Sequence, residues 1–321
     1  MSTRITVPGD LAGERADRIV AAVLGVSRRI AKTSCEEAGV THRGEPVSAS
    51  SRLAAGEEIE VRLVRDDVGV GPDPTVSFAI AYEDDDLLVV DKPPGVVVHP
   101  GAGVRGRTLV NGIIARRPQI EALGEERRWG VVHRIDRDTS GLLLVAKTPL
   151  AFDLLQAALK ARAVKREYRT LVDGTFTNAT GTIDAPVGRD PVHPTRRAVL
   201  PHGRPARTHY TRLADWARHD CTLLAVQLET GRTHQIRVHL QAIGHGVIGD
   251  PVYGPRRPTP GDPGRTWLHA ERLTFDHPAG TGPMTVDAPL PPDLAASLAS
   301  LGVPDRKKAS GDANPRWDVA D

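Results

Sequence analysis

Apolar positions along the chain change their rhythm near residue 78, and the change divides it. In residues 13–63, Ile19, Val20, Val23 and Leu24 recur at helical spacing, and Ser27 stands where it would cap a second helix. That helix carries Arg28, Arg29 and Lys32 on its first turns. A turn is predicted at Arg43-Gly44-Glu45, then a short strand over Ile59 to Leu63 with period-two alternation. Residues 64–76 hold Asp66, Asp67, glycines and prolines, which predicts a linker.

Beyond Phe78 the apolar residues come in dense runs. Leu87 to Val90, Val96 to Val98 and Leu142 to Val145 each predict a buried strand. Leu109, Val110, Ile113 and Ile114 mark a helix, and Ala151, Leu154, Leu155, Ala158 and Leu159 share one helical face. Tyr168 to Val172 and Leu224 to Leu228 alternate as strands, with more expected around Leu268 and Met284. Strands outnumber helices and follow one another. The fold class is therefore α+β: a large, mostly antiparallel mixed sheet flanked by helices over residues 77–303, behind a small N-terminal α+β domain. The polar stretch 304–321 reads as a disordered tail.

Composition narrows the function less than it excludes. The chain has 321 residues, 40% hydrophobic and 26% charged, a profile of one small and one large folded domain. No apolar run is long enough to span a bilayer and no apolar signal core opens the chain, so a cytoplasmic protein without membrane attachment is expected. Cys35 and Cys221 stand far apart with no CxxC spacing, which excludes a zinc ribbon or disulfide framework. The net charge is only +2, so any basic surface must come from local clustering. Aromatics make up 4% of the chain, too few for a platform of stacked rings.

One motif misleads. Gly101-Ala102-Gly103-Val104-Arg105-Gly106 matches GxGxxG, with Glu121 downstream, and nearly matches a P-loop. Pro100 interrupts the strand that should enter a phosphate turn, Glu121 ends no second apolar strand, and the P-loop lysine is missing. A glycine loop accounts for the residues, and neither a nucleotide cofactor nor a metal is expected.

The densest polar cluster is His133-Arg134-Ile135-Asp136-Arg137-Asp138-Thr139-Ser140-Gly141, between Val131-Val132 and Leu142 to Val145. Charges between buried strands are costly unless paired or functional, and the residues alone leave both a salt-bridged turn and a site open. A second cluster runs from Glu229 to His239, with His234 and Arg237 about a helical turn apart. Between them stands Tyr168 in Lys165-Arg166-Glu167-Tyr168, at the start of a strand. Arg189, Arg196, Arg197, Arg204, Arg207 and Arg212 crowd a stretch where Asp190 is the single acid, which suits a phosphate-tracking surface. Arg28 and Arg29, at a helix start, suit a phosphate or a solvated face equally.

In combination these segments resemble a known family. HRIDRDTSGLLLVAKT, KREYRTLV, ETGRTHQIRVHL and GDPVYG resemble, in order and spacing, the motifs of the RluA-type pseudouridine synthases, helped by DKPPGVVVHPGAG and ARTHY. The likeness covers roughly residues 78–290. Residues 13–63 resemble an S4 RNA-binding domain, although His42-Arg43-Gly44 replaces the usual Val-Asn-Gly turn. The resemblance implies that Asp136 is the catalytic aspartate, that Tyr168 stacks on the target base, and that Arg237 pairs with Asp136. It implies that Arg134 enters the RNA where the base leaves, with His133 beside it, and that Leu268 forms a pocket wall. Arg28, Arg29, Arg196 and Arg197 are expected to contact RNA. The implied partner is large-subunit ribosomal RNA or its assembly intermediates, with tRNA as the alternative, met by a monomer.

The chemistry suits those residues. Converting uridine to pseudouridine breaks the N1–C1′ bond, turns the base and joins C5 to C1′, a redox-neutral isomerisation that requires neither metal nor nucleotide. A base inside a stem must be flipped out to be reached, and an ionised Asp136 paired with Arg237 would attack C1′ or act as a base. Two other classes compete: an RNA-binding assembly factor without the reaction, and a nucleoside hydrolase that releases free uracil.

Overall fold

The computed structural model describes residues 2–26, 28–64, 70–100, 107–124 and 128–307, without the side chains of Arg29, Arg306 and Lys307. The expected Ser27 cap, the glycine loop 101–106 and residues 308–321 of the tail lie outside the described residues. The chain divides into two units, Met1–Gly71 and Pro72–Asp321.

In the first unit β1 (Thr3–Thr6), β4 (Glu58–Val61), β2 (Val40–His42) and β3 (Glu45–Pro46) form a four-stranded sheet in that order. It packs with α1 (Ala16–Leu24) and α2 (Arg28–Glu36). Ile5, Ile19, Val20, Val40, Ile59 and Val61 close the core. Arg43 and Gly44 both take positive φ between β2 and β3, the conformation a tight hairpin turn demands. Two expectations need correction. The unit begins before residue 13, because Thr3–Thr6 pairs antiparallel with β4. Val23 is exposed, so the apolar stripe of α1 is narrower than its spacing suggested.

The second unit is built on a ten-stranded sheet. Its strands include β5 (Ala79–Glu83), β6 (Leu87–Lys92), β7 (Ser140–Ala146) and β8 (Lys165–Asp173). β9 (Thr180–Asp184), β12 (Arg207–Trp216) and β13 (Cys221–Leu228) follow, then β14 (Leu268–Asp276), β15 (Pro283–Asp287) and β16 (Arg306–Lys307). β10 (Val187–Arg189) and β11 (Arg197–Val199) make a separate two-stranded hairpin. The central path runs β16-β12-β13-β8-β14-β7-β6-β5, antiparallel except where β14 meets β7 in parallel. α3 (Leu109–Arg116), α4 (Pro149–Lys160), α5 (Gln235–Ala242) and α6 (Pro292–Ser300) accompany it. β7 is buried at every position, as its unbroken apolar run requires. Ala151, Phe152 and Leu155 of α4 join the core with Leu142 and Leu144, whereas Leu154 faces out.

Three further departures have plain causes. Val96 to Val98 form a loop, not a strand; the Val97 and Val98 carbonyls accept the first amides of α3 instead of pairing with a neighbour. The end of the expected linker belongs to the second unit, where Val76 is buried against Gly112. The tail is ordered as far as residue 307, because β16 pairs with Ala214 and Asp215 of β12.

Candidate active site

The parallel contact between β7 and β14 fixes the start of the site. There Gly141, at φ +109°, lies against Ala270 so closely that any Cβ would overlap its carbonyl oxygen. The polar loop Val132–Thr139 leads into this junction and is fastened along its length. Gln156 donates to the Val132 carbonyl at 2.9 Å, and His133 Nε2 accepts the Leu144 amide at 3.1 Å. Lys92 Nζ and the Gly95 amide both donate to the Arg137 carbonyl at 2.9 Å. The Lys92 ammonium is fully buried, and that burial pulls its pKa down to about 7 against the pull of Asp138 and Asp136. The loop thus delivers Asp136 in one position, its side chain 19% exposed.

A three-membered ionic chain holds that carboxylate. Arg237 Nη1 donates to Asp136 Oδ2 at 2.9 Å, while its Nε and Nη2 form a fork with Asp250 at 2.5 and 2.8 Å. Asp250 Oδ1 also accepts the amides of Val252 and Tyr253, so it is oriented before it meets the arginine. Arg237 lies on the first turn of α5, whose preceding residue His234 takes a left-handed conformation at φ 58° and shares a 3.0 Å hydrogen bond with the Tyr253 hydroxyl. Burial would lower the Arg237 guanidinium, but its bonds to Asp250 and the charges of both aspartates raise it above its ordinary value. Asp136 Oδ1 has no hydrogen-bond partner among the described residues.

This Asp136 side chain borders a cavity of about 780 Å³, a volume suited to a small-molecule-sized group. His133, Arg134, Tyr168, Arg166, Arg237 and Leu268 contribute to its wall. Tyr168 is 5% exposed, and its pKa is raised by burial and by the Asp136 charge, against Arg166, so the phenol stays neutral. Leu268 gives the apolar side at the first residue of β14.

A family model described as RNA pseudouridylate synthase matches residues 86–242, a span that contains Asp136, Tyr168 and Arg237. The ribosomal large subunit pseudouridine synthase D of Nitrosomonas europaea is 42% identical over 306 residues, covering 92% of this chain and 87% of that protein. The chain belongs to the RNA pseudouridine synthases. The synthase D of Pseudomonas aeruginosa is 38% identical and covers 92% of this chain and 94% of its own. The solved human RNA pseudouridylate synthase domain containing 1 superposes with a TM-score of 0.55 at 28% identity, over 70% of this chain and 89% of its own. Synthases of this kind are isomerases, and the α+β fold with its large mixed sheet agrees with them.

The expected residues of this pseudouridine synthase do not all meet. Asp136, Arg237, Tyr168, His133, Arg134 and Leu268 converge on one cavity, with Arg134 exposed at its wall. Arg197 lines a neighbouring cavity of about 330 Å³, with Arg189, Arg204 and Arg232; Arg196 lines neither. Arg207 and Arg212 do not serve a free basic surface: they pair with Asp184 and Glu229, and with Asp215. Arg28, in the first unit, is engaged by Asp17 at 3.3 Å, and the side chain of Arg29 lies outside what is described. The sequence reading passed over Asp250 and Arg166 although both stand inside recognised segments, GDPVYG and KREYRTLV. An aspartate directly after a glycine and before a proline was available as a signal, but what it holds is 13 residues away in the chain.

Proposed function

We propose that this protein isomerises specific uridines in large-subunit ribosomal RNA, with Asp136 as the catalytic group. The observation that supports it most is the Asp136 carboxylate beside the cavity, held on one oxygen by an arginine that a second, fully buried aspartate holds in turn. The relatives named synthase D supply the substrate class. The target uridine is flipped from its stem at a cost of a few kcal/mol. Its base lies against Tyr168 and Leu268, and Arg134 takes the space it leaves. Asp136 then meets the ribose, either by attack on C1′ or by taking a proton at C2′; both routes use the same carboxylate. The N1–C1′ bond breaks, C5 bonds to C1′, the C5 proton goes to water and N1 gains one. The small unit, with Arg28 and Arg29, acts as an S4-like RNA-binding domain, and Arg196 and Arg197 contact the RNA backbone. The protein works in the cytoplasm as a monomer. Among the described residues, no helix is long and apolar enough to cross a membrane.

The test is tritium release from large-subunit ribosomal RNA made with C5-tritiated uridine. Tritium in water with the wild type alone, no release by Asp136→Asn and no free uracil is the expected result. Free uracil would make the protein a hydrolase; release from tRNA but not ribosomal RNA would move the substrate; release from neither would leave an RNA-binding factor.

A further inference from the structure

One buried cation in the active-site cavity has no function in the scheme above. Arg166 stands on β8 two residues before Tyr168, so the two side chains project from the same face of the strand, about 7 Å apart along it. It is 8% exposed. Its Nε has no hydrogen-bond partner, and its one hydrogen bond among the described residues is a long one, 3.5 Å from Nη2 to the Glu229 carbonyl. No carboxylate among the described residues lies within ion-pair distance of it. The carboxylate of Glu229 is already occupied, by His209 at 2.7 Å, Arg162 at 2.9 Å and Arg207 at 3.5 Å. Asp136 is committed to Arg237. A buried guanidinium left this way is costly unless an anion meets it.

The surroundings add positive charge and leave room. Arg162, Arg204 and Arg232 line the same cavity, and Arg204 and Arg232 also line the neighbouring one. The Arg232 guanidinium is lowered first by burial and then by the charges of Arg204, Arg162 and Arg166, so all three arginines act on it. Gly231 completes the arrangement: a Cβ there would stand 2.6 Å from Arg166 Nη1, so the glycine leaves the guanidinium its place.

We infer that Arg166, with Arg232 beside it, binds a phosphodiester flanking the target uridine and so sets the base against Tyr168 and the ribose against Asp136. This rests on the pseudouridine synthase reading and deepens it. The fork of a guanidinium matches a phosphate's oxygens, and the Tyr168-to-Arg166 spacing along the strand is of the order of that between a nucleotide's base and its phosphate. Arg166 is thereby a binding and positioning residue whose partner arrives with the substrate.

The experiment is a cycle between protein and substrate. Turnover by wild type and Arg166→Met is measured on a C5-tritiated RNA stem-loop and on two versions carrying one uncharged methylphosphonate, placed 5′ or 3′ to the target. Binding of each RNA and thermal unfolding of both proteins are recorded alongside. Arg166→Met is expected to lose on the order of 10- to 100-fold in kcat/KM on the normal RNA. One methylphosphonate should cost the wild type a similar factor and cost Arg166→Met almost nothing further. Losses that multiply at both positions, or an Arg166→Met variant as active as the wild type, overturn the inference. A variant damaged only in folding would show multiplying losses with a lowered unfolding temperature, which also counts against it. Failure of the wild type to release tritium from the unmodified RNA would instead overturn the synthase reading itself.

Discussion

Of the aspartates that arginines hold in this molecule, Asp17 and Asp136 make the sharpest contrast, and the way each is held separates a fastening from the proposed catalytic group. In the small unit Asp17 is 2% exposed and receives Arg15 at 3.1 and 3.2 Å and Arg28 at 3.3 and 3.4 Å. Those arginines are 40% and 60% exposed, reaching in from solvent. Burial would raise the Asp17 carboxyl, but the Arg15 and Arg28 hydrogen bonds bring it below its ordinary value. In the large unit the order is reversed. The Asp136 side chain is 19% exposed, whereas that of Arg237 is 8% exposed and that of Asp250 is fully buried. An acid buried under exposed bases ties chain segments together; a base buried and clamped by a second acid presents the first acid to whatever enters the cavity.

The largest effect should fall on Asp136. Asp136→Asn is expected to lower kcat by at least about 10³-fold, within the range that acid–base or nucleophilic groups contribute, with RNA affinity unchanged within a few-fold. Asp17→Asn should leave kcat unaltered on the same RNA. A tritium-release assay with matched binding measurements decides; near-normal turnover by Asp136→Asn would dissolve the distinction. Asp250→Asn comes next. It leaves Arg237 buried with one charge less to compensate it, so kcat should fall on the order of 10- to 100-fold with KM little changed. A loss confined to KM would mean that Asp250 serves binding and not the posture of Asp136.

How the sequence carried this arrangement differs between its parts. The strands β6 and β7 were legible because their apolar runs exceed anything an exposed segment would hold, and β8 and β13 because their residues alternate. Val96 to Val98 had the same look, yet their carbonyls serve α3, and no local pattern records that choice. β1 and β16 were missed for a related reason. Each is short and polar, and each is a strand only because a partner lies more than 50 residues away in the chain. At the site, Asp136, Tyr168 and Arg237 were singled out through the family resemblance, and the structure brings them to one cavity, whereas Asp250 was hidden because it acts only through Arg237. The arginine-rich stretch read as one surface, but Arg207 is neutralised by Asp184 and Glu229, each more than 20 residues away, and Arg212 by Asp215 just past the stretch.

The fastening role of Asp17 predicts a stability loss of moderate size. Asp17→Asn removes charge-assisted bonds from a buried acceptor, but Arg15 and Arg28 return to water at little cost, so about 1–2 kcal/mol should be lost. Urea unfolding of the whole chain, followed by a probe in the small unit, measures it. A loss above about 4 kcal/mol would mean that the arginines are trapped when unpaired, as Arg237 would be.

The loop that delivers Asp136 should show its fastening in the pH dependence of stability. Burial, aided by the Arg166 charge, lowers His133 from 6.5 to about 3, and its Nε2 must be unprotonated to accept the Leu144 amide. The unfolded chain therefore takes up a proton near pH 6.5 that the folded chain refuses until about pH 3. Stability from this group is complete above 6.5, declines as the pH falls through the window, and declines no further below it, with a slope of at most about 1.4 kcal/mol per pH unit. Gln at this position offers the Leu144 amide an acceptor that does not titrate. The unfolding midpoint of His133→Gln should lie below that of the wild type at pH 7 and approach or pass it by pH 4.5. Parallel midpoints across that range would show that the loop tolerates a charged His133 and is fastened by Gln156, Lys92 and the Gly95 amide without it.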